Sequence, residues 1–417
     1  MIKMRSYLLA LISFPRSHAP AWECIRLVVI CMAIQLNGCA HLPVKSPPVC
    51  NMVSLPEGSG KLPLFYDDAS TASLDHALAE SLSFWRGQNK ERQVEICGQA
   101  YQAGVILDSL LEFRKLLHTV PTEELAASIA QNFKIFQAQN SGGGDNILVT
   151  GYFQPVLRGS LIRKPPYIYP LYGLPPDLIN ARQYDSSGIS TPLIGHVVNG
   201  RLRPYWRRSE IEDKKKLAGQ ELLYLRDPVD AFVLHVQGSG IVLFPDGTKR
   251  RVIYAGSNGW PYKSIGRLLV DEGKIDLSTV SMPKIRQYLF SHLDERRHIL
   301  HYNDRYIFFR LAPAASGENP VGAMGHELTP GRSAALDVNC FPLGGLAYLE
   351  TEIPGISGGR AVGWRAMRRF VLPQDSGAAI KGSGRLDMFW GHGAEARLLA
   401  GVMKQPGKLY ILIKKTK

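Results

Sequence analysis

Two strand-rich stretches stand far apart in the chain, and that separation constrains the fold more than any other feature. The first, "ILVTGYFQPVLRGS", covers residues 147–160. The second runs from Asn303 to the end and includes "RYIFFRLA", "SAALDVNCF", "LAYLET", "RRFVLP" and "KLYILIKK". Such runs, rich in β-branched and aromatic residues and bounded by Gly and Pro, read as strands. The region between them is mixed. "DAFVLHVQGSGIVLFPDGTKRRVIYAG" reads as strand, Gly turn, strand, Asp-Gly hairpin, strand. "YKSIGRLLVDEGKI" is a short helix ending at Gly273, and "SMPKIRQYLFSHLDERRHIL" is a helix with Ser281 as N-cap and Pro283 in its first turn. Strand-rich ends around a helix-containing middle suit a β-barrel interrupted by an inserted domain. Periodicity alone gives a mainly β protein with helices (α+β), in two domains.

Ahead of the first strands lie three helical stretches. "SLDHALAESLSFW" places Leu74, Leu78, Leu82 and Trp85 at helical spacing. "YQAGVILDSLLEFRKLLHTV" does the same and stops before Pro121, and "TEELAASIAQNFKIFQAQ" starts from Thr122 as an N-cap with two glutamates in its first turn. Residues 40–65, rich in Pro, Gly and Ser, read as a tether.

The N-terminus points to export. Basic residues run to Arg26, followed by the apolar "LVVICMAIQL" (27–36) and "NGCAHLP". The apolar run has the length of a signal-peptide core and is too short to span a bilayer. Leu36-Asn37-Gly38-Cys39 resembles the end of a bacterial lipoprotein signal, in which Cys39 becomes the lipid-bearing first mature residue. An ordinary secretory signal cut near Ala40 and an uncut anchor are the alternatives. Three other cysteines would remain in the mature protein, Cys50, Cys97 and Cys340. They allow one disulfide with one thiol left over, or three unpaired thiols, and offer no C-x-x-C motif.

The net charge of +13 and pI near 9.4 favour an anionic partner. The basic residues are scattered, and no zinc-finger, basic-zipper or RNA-binding motif accompanies them, so nucleic acid is not expected. "GSG" at 238–240 and 382–384 does not continue as a phosphate loop, and His235 and His392 stand without metal-ligand spacing. Ser239 sits in Q-G-S-G rather than in a nucleophile elbow. Neither cofactor nor metal is expected. The carboxylates are the better lead: Asp337 in "SAALDVN", Asp375 in "PQDSGAAIKG" and Asp387 in "GRLDMFWG". An aspartate beside glycine is usually an Asx-type turn cap. Three of them at strand ends, the last followed by Phe389 and Trp390, suit a sugar-binding groove in which a desolvated acid has a raised pKa.

Together, "VTGYFQP", "HVQGSG", "YAGSNGWPYKSIGRLL", "ALDVN" and "QDSGAAIKGSGRLDMFWGHGAEA" resemble the membrane-bound lytic murein transglycosylase A family, with a terminal part resembling the domain named for its three aspartates. The resemblance implies a double-psi β-barrel split in sequence by an inserted β-rich domain. Its expected boundaries are a signal at 1–38, a tether at 39–65, a helical segment with the first part of the barrel at 66–155, the insert at 156–302 and the rest of the barrel at 303–417. It further implies a peptidoglycan-cleaving lyase with Asp387 as catalytic residue, Asp375 as companion and Asp337 in support. Gln237, Gly238, Ser239 and Gly240, with Thr150, Tyr152 and Lys381, would bind substrate. The family's second tyrosine in this strand is here Phe153, so any bond from that hydroxyl is lost. The partners implied are peptidoglycan glycan strands, the outer membrane through lipid on Cys39, and other cell-wall enzymes.

Overall fold

The structure, a computed structural model, describes residues 50–56, 60, 62–96, 98–184, 190–313 and 319–416. Cys39 and Cys97 lie outside the described residues.

Six strands close into a barrel. Around the ring, Ile147–Gln154 is followed by Arg385–His392, Ser333–Ala335, Arg360–Asp375, Ala347–Ser357 and Lys404–Lys414. The last of these returns to the first through Lys404↔Thr150 and Gln405↔Val149. Two pairings are parallel, Arg385–His392 on Ile147–Gln154 and Ser333–Ala335 on Arg360–Asp375. The barrel is therefore built from both ends of the chain, as the separated strand-rich stretches require.

The expected tether is partly structured. Asn51–Leu55 is a strand, paired antiparallel with Phe133–Gln139, which in turn pairs with Lys404–Lys414. A disulfide joins Cys50 to Cys340, so the first described residue is fastened to the C-terminal half. Phe133–Gln139 is itself a correction, since the third helix ends at Asn132. Its apolar residues fit either period. Pairing against two neighbouring strands satisfies its backbone and buries Phe133, Ile135 and Ala138. Pro121 rather than Thr122 holds the cap position of that helix.

Helices Thr71–Arg86 and Ala103–Thr119 follow their expected apolar spacing and pack on the barrel, with Phe113 and Phe370 rings 4.5 Å apart. Arg332, fully buried, donates to both oxygens of Asp67 at 2.6 and 2.8 Å and to Ser73 Oγ and the Phe370 carbonyl. With its donors so occupied, the buried guanidinium is compensated and sets where the helical segment sits on the sheet.

A second, six-stranded sheet lies in the order Ile307–Leu311, Lys249–Ser257, Ser239–Leu243, Val156–Ser160, Glu221–Leu225 and Tyr169–Tyr172. Ile307–Leu311 was expected in the barrel, beyond a boundary at 302, yet it pairs with Lys249–Ser257. "DAFVLHVQ", expected as a strand, lies in the helix Pro228–Gln237. Its caps are plain in the sequence. Asp227 accepts from the Val229 and Asp230 N–H groups at 2.7 and 3.1 Å, Pro228 opens the first turn, and Gly238 closes it with φ +78°. Those caps outweigh the β-leaning Val and Phe. The expected helix over 281–300 divides at His292 into Met282–Ser291 and Leu293–His301.

Candidate active site

Asp387 lies in the strand Arg385–His392, between Thr150 on one side and Ala335 on the other. The parallel register sets the Thr150 hydroxyl against it, and Thr150 Oγ1 donates to Asp387 Oδ1 at 2.8 Å. Two residues along each strand, Tyr152 stands against Phe389, ring centroids 5.3 Å apart. The Tyr152 hydroxyl donates to Asp375 Oδ2 at 2.8 Å, and the Ala323 N–H donates to Asp375 Oδ1 at 2.9 Å. "TGYF" therefore holds both acidic residues: Thr150 takes one and Tyr152 the other.

The two carboxyls share a cleft. A cavity of about 200 Å³ is lined by Asp375, Asp387, Tyr152, Gln237, Tyr262 and Arg385. A second, of about 650 Å³, shares Tyr152, Gln237 and Asp375 and extends along Gly238, Ser239, Asp337 and Lys381. Burial raises the pKa of Asp387 to about 6, opposed by the Thr150 hydrogen bond and the charge of Arg385 and assisted by the charge of Asp375. Asp387 keeps a partly exposed edge on the cleft while protein encloses most of its carboxyl. Burial also raises Asp375, against the lowering effect of its bonds from Tyr152 and the Ala323 N–H. Tyr152 is pushed well up by burial and by Asp375, so its hydroxyl stays a donor.

Asp337 has a different task. Its Oδ2 accepts from the Gly382 N–H at 2.7 Å and its Oδ1 from the Asn339 N–H at 3.1 Å. It is 1% exposed, and it ties the turn before Cys340 to the loop after Asp375. The turn-cap reading of an aspartate holds for this one.

Gln237 ends its helix at the cleft, and its Oε1 accepts the Phe153 N–H at 3.0 Å. The expected turn between strands is thus a helix-to-strand junction, with Ser239 opening the strand. Gly240 does not line the cleft. A Cβ there would stand 2.6 Å from Leu234 Cδ1 and 3.1 Å from the Pro155 carbonyl oxygen, so its role is close packing. Gly151 is similar: a Cβ would meet Trp390 and the Ala400 backbone at 2.9 Å or less. Phe153 is buried in an apolar cluster with Val229 and Phe232, which explains why this position needs no hydroxyl.

Phe389 and Trp390 are not a sugar platform. Phe389 is 1% exposed, Trp390 packs against the apolar clusters, and neither lines the cleft. Desolvation of the acid is the part of that expectation the structure keeps. Sequence reasoning missed Arg385, Tyr262, Arg305 and His235, all on the cleft walls. Arg385 was within reach, because i and i−2 on a strand share a face. His235 Nδ1 faces a donor, Arg208 Nη1, at 2.8 Å, which makes Nδ1 the acceptor of a neutral ring. Burial, and the Arg208 charge, hold its pKa well below the usual value. Arg208 also lines a separate cavity of about 550 Å³ that contains none of the three aspartates. Among the described residues no cluster of three potential metal ligands occurs.

Comparison with known proteins agrees with this layout. A family model described as the MltA-specific insert domain matches residues 148–310, and a 3D-domain model matches residues 332–413. Membrane-bound lytic murein transglycosylase A of Vibrio cholerae is 32% identical over 286 residues, covering 66% of this chain and 68% of the relative. Its counterpart in Escherichia coli is 30% identical over 282 residues, with the same coverage of 66% and 68%. A crystal structure of membrane-bound lytic murein transglycosylase from Agrobacterium tumefaciens superposes with a TM-score of 0.69 at 29% identity, covering 87% of this chain and 98% of that one.

Proposed function

The chain belongs to the membrane-bound lytic murein transglycosylase A family, and from that premise we propose that it cleaves the β-1,4 bond between N-acetylmuramic acid and N-acetylglucosamine, leaving 1,6-anhydromuramic acid ends. It is an enzyme of peptidoglycan degradation. Asp387 acts twice. As the neutral acid it protonates the glycosidic oxygen. As the resulting carboxylate it takes the proton of the muramic C6 hydroxyl, which closes on C1. A pKa of about 6 leaves about half of it neutral at pH 6 and about a tenth at pH 7, against less than about a thousandth for an ordinary aspartate.

One observation carries this reading. Both oxygens of Asp375 accept protein hydrogen bonds, whereas Asp387 is given one side-chain partner among the described residues, Thr150 on Oδ1. Asp387 therefore has one oxygen without a protein partner among the described residues, whereas each Asp375 oxygen is already engaged in holding Tyr152 or the Ala323 N–H. That argues against a two-carboxylate hydrolase in which Asp375 activates water. Asp375 instead fixes Tyr152 and adds negative charge beside the developing oxocarbenium ion. Gln237, Ser239 and Lys381 on the larger cavity would contact the glycan strand.

Mass spectrometry of soluble products from purified murein tests the reaction: anhydro ends are expected and reducing ends would refute it. Asp387→Asn should lose activity by about 10⁴-fold, the upper end for general acid–base catalysis. A folded variant that still releases anhydro-muropeptides at near wild-type rate would sink the assignment, and binding without any turnover by the wild type would mark a scaffold. The relatives' names support membrane association. Lipid on Cys39 and an outer-membrane position facing the periplasm extend that reading, and Cys39→Ala should then release the protein from membranes.

A further inference from the structure

The hairpin of Ala347–Ser357 and Arg360–Asp375 outgrows the barrel. Ala347 to Glu350 pair with Lys404–Lys414, and beyond Glu350 the pairings among the described residues are within the hairpin. Thr351, Ile353 and Pro354 are still buried, and the exposed end of this two-stranded ribbon runs from Ser357 through the turn at Gly358 and Gly359 to Ala366. Cross-strand partners share a face. One face therefore carries Pro354↔Trp364 and Ile356↔Ala361, and the other Ile353↔Arg365 and Ser357↔Arg360. The register shift beside Gly363, at φ +61°, keeps Trp364 and Ile356 together. Residues 360–366 are all exposed, Val362 at 50% and Trp364 at 44%. Trp364 stands on one face and Arg360, Val362 and Arg365 on the other, so a ribbon entering end-on would bring both sets to a bilayer's headgroup level, where Trp and basic side chains are enriched.

The route of the chain supplies the occupant. Val53, Gln137, Tyr410 and Tyr348 form one row across four neighbouring strands, spanning about 15 Å at ~4.8 Å per strand. All three pairings are antiparallel, so the chain read backwards from Val53 and the ribbon read forwards from Tyr348 leave this row on the same side. Fourteen residues separate Cys39 from Val53, a reach of at most about 50 Å at ~3.5 Å per residue. The ribbon extends ten residues from Tyr348 to Gly358, or about 30 Å. A lipid on Cys39 would allow the row to come within that length of the surface.

We propose that the ribbon tip, through Trp364, Val362, Arg360 and Arg365, docks on the headgroups of an anionic phospholipid surface, as a second contact beside the lipid anchor. The inference rests on the membrane reading above, although the ribbon's own affinity does not require Cys39 to be lipidated. The test is a two-by-two comparison in the full chain, wild type and Cys39→Ser, each with and without Arg360→Ala/Arg365→Ala. Partition is measured on vesicles of phosphatidylglycerol and phosphatidylethanolamine at low salt. Each basic side chain near such a surface is worth roughly fivefold, so the double substitution should weaken partition of the Cys39→Ser protein about 30-fold. Quenching of Trp fluorescence by brominated phosphatidylglycerol should fall in Trp364→Phe. Arg360 and Trp364 are exposed, and the one ion pair lost, Arg365 to Asp68 at 3.9 Å, is a solvent-exposed contact worth little, so thermal unfolding should stay nearly unchanged in all variants.

A ribbon effect with no difference between wild type and Cys39→Ser would remove the lipidation reading and leave the ribbon proposal standing. Equal partition with and without the arginines in both backgrounds, and equal quenching with and without Trp364, would overturn the ribbon proposal. So would loss of binding to murein sacculi with vesicle binding intact, since the occupant would then be glycan.

Discussion

Asp387→Asn should make the folded protein more stable while abolishing catalysis. The Asp387 pKa rises from 3.8 to about 6 on folding, so the folded state holds this proton more tightly than the unfolded chain does. The group's contribution to stability is fully present below pH 3.8 and is lost as pH rises through about 6. Above that, the ionised carboxyl penalises folding by roughly 3 kcal/mol, at ~1.4 kcal/mol per pKa unit. Asparagine does not ionise, and its carbonyl can still accept from Thr150 Oγ1. At pH 8 the variant should gain up to about 3 kcal/mol. For a folded body spanning Pro48–Lys417, an unfolding entropy of about 2.1 cal/mol/K per residue converts this to about 4 °C in Tm. Scanning calorimetry of both proteins at pH 8 and pH 3.5 reads it directly. The gain should appear at pH 8 and vanish at pH 3.5. An increment equal at both pH values, or a lower Tm at pH 8, would mean that Asp387 is not held protonated by its surroundings.

Three further outcomes follow from the same geometry. Wild-type kcat/KM on murein should fall about tenfold per pH unit above about 6, because only protonated Asp387 starts the reaction, and a flat profile up to pH 8 would oppose this. Cys340→Ser should cost about 2–5 kcal/mol, since the lost cross-link closes a loop of 290 residues, and chemical denaturation under non-reducing conditions measures it. Gln237→Ala should cost about 1–3 kcal/mol by leaving the Phe153 N–H unpaired. Gln237→Glu keeps that acceptor, so stability should hold while KM rises if the amide NH₂ meets sugar.

Much of the site was legible because its parts are local. Position at strand ends beside glycine drew attention to Asp387 and Asp375, and the separated strand-rich stretches suited a barrel assembled from both, with the barrel type and the residue roles coming from the family resemblance. The turn-cap rule described Asp337 correctly and failed for the other two. What distinguishes them is what faces them across the sheet, and pairing partners more than two hundred residues away cannot be read from a local pattern. The helix Pro228–Gln237 was misread for another reason. Its Val and Phe content outweighed a complete set of caps, Asp227, Pro228 and Gly238. The strand Phe133–Gln139 continues an apolar spacing that also fits a helix, and only the gap between two neighbouring strands decides it. Phe389, two residues beyond the acid, is buried against Tyr152, and Trp390 packs into the apolar clusters, so neither aromatic is available to sugar.

The strand that closes the barrel, Lys404–Lys414, is the last strand among the described residues. It supplies the seam to Ile147–Gln154, so the strand that carries Thr150 and Tyr152 is held on one edge by Arg385–His392 and on the other by residues 404–407. A variant truncated before residue 404 would leave that edge of Ile147–Gln154 unpaired and the barrel open beside the cleft.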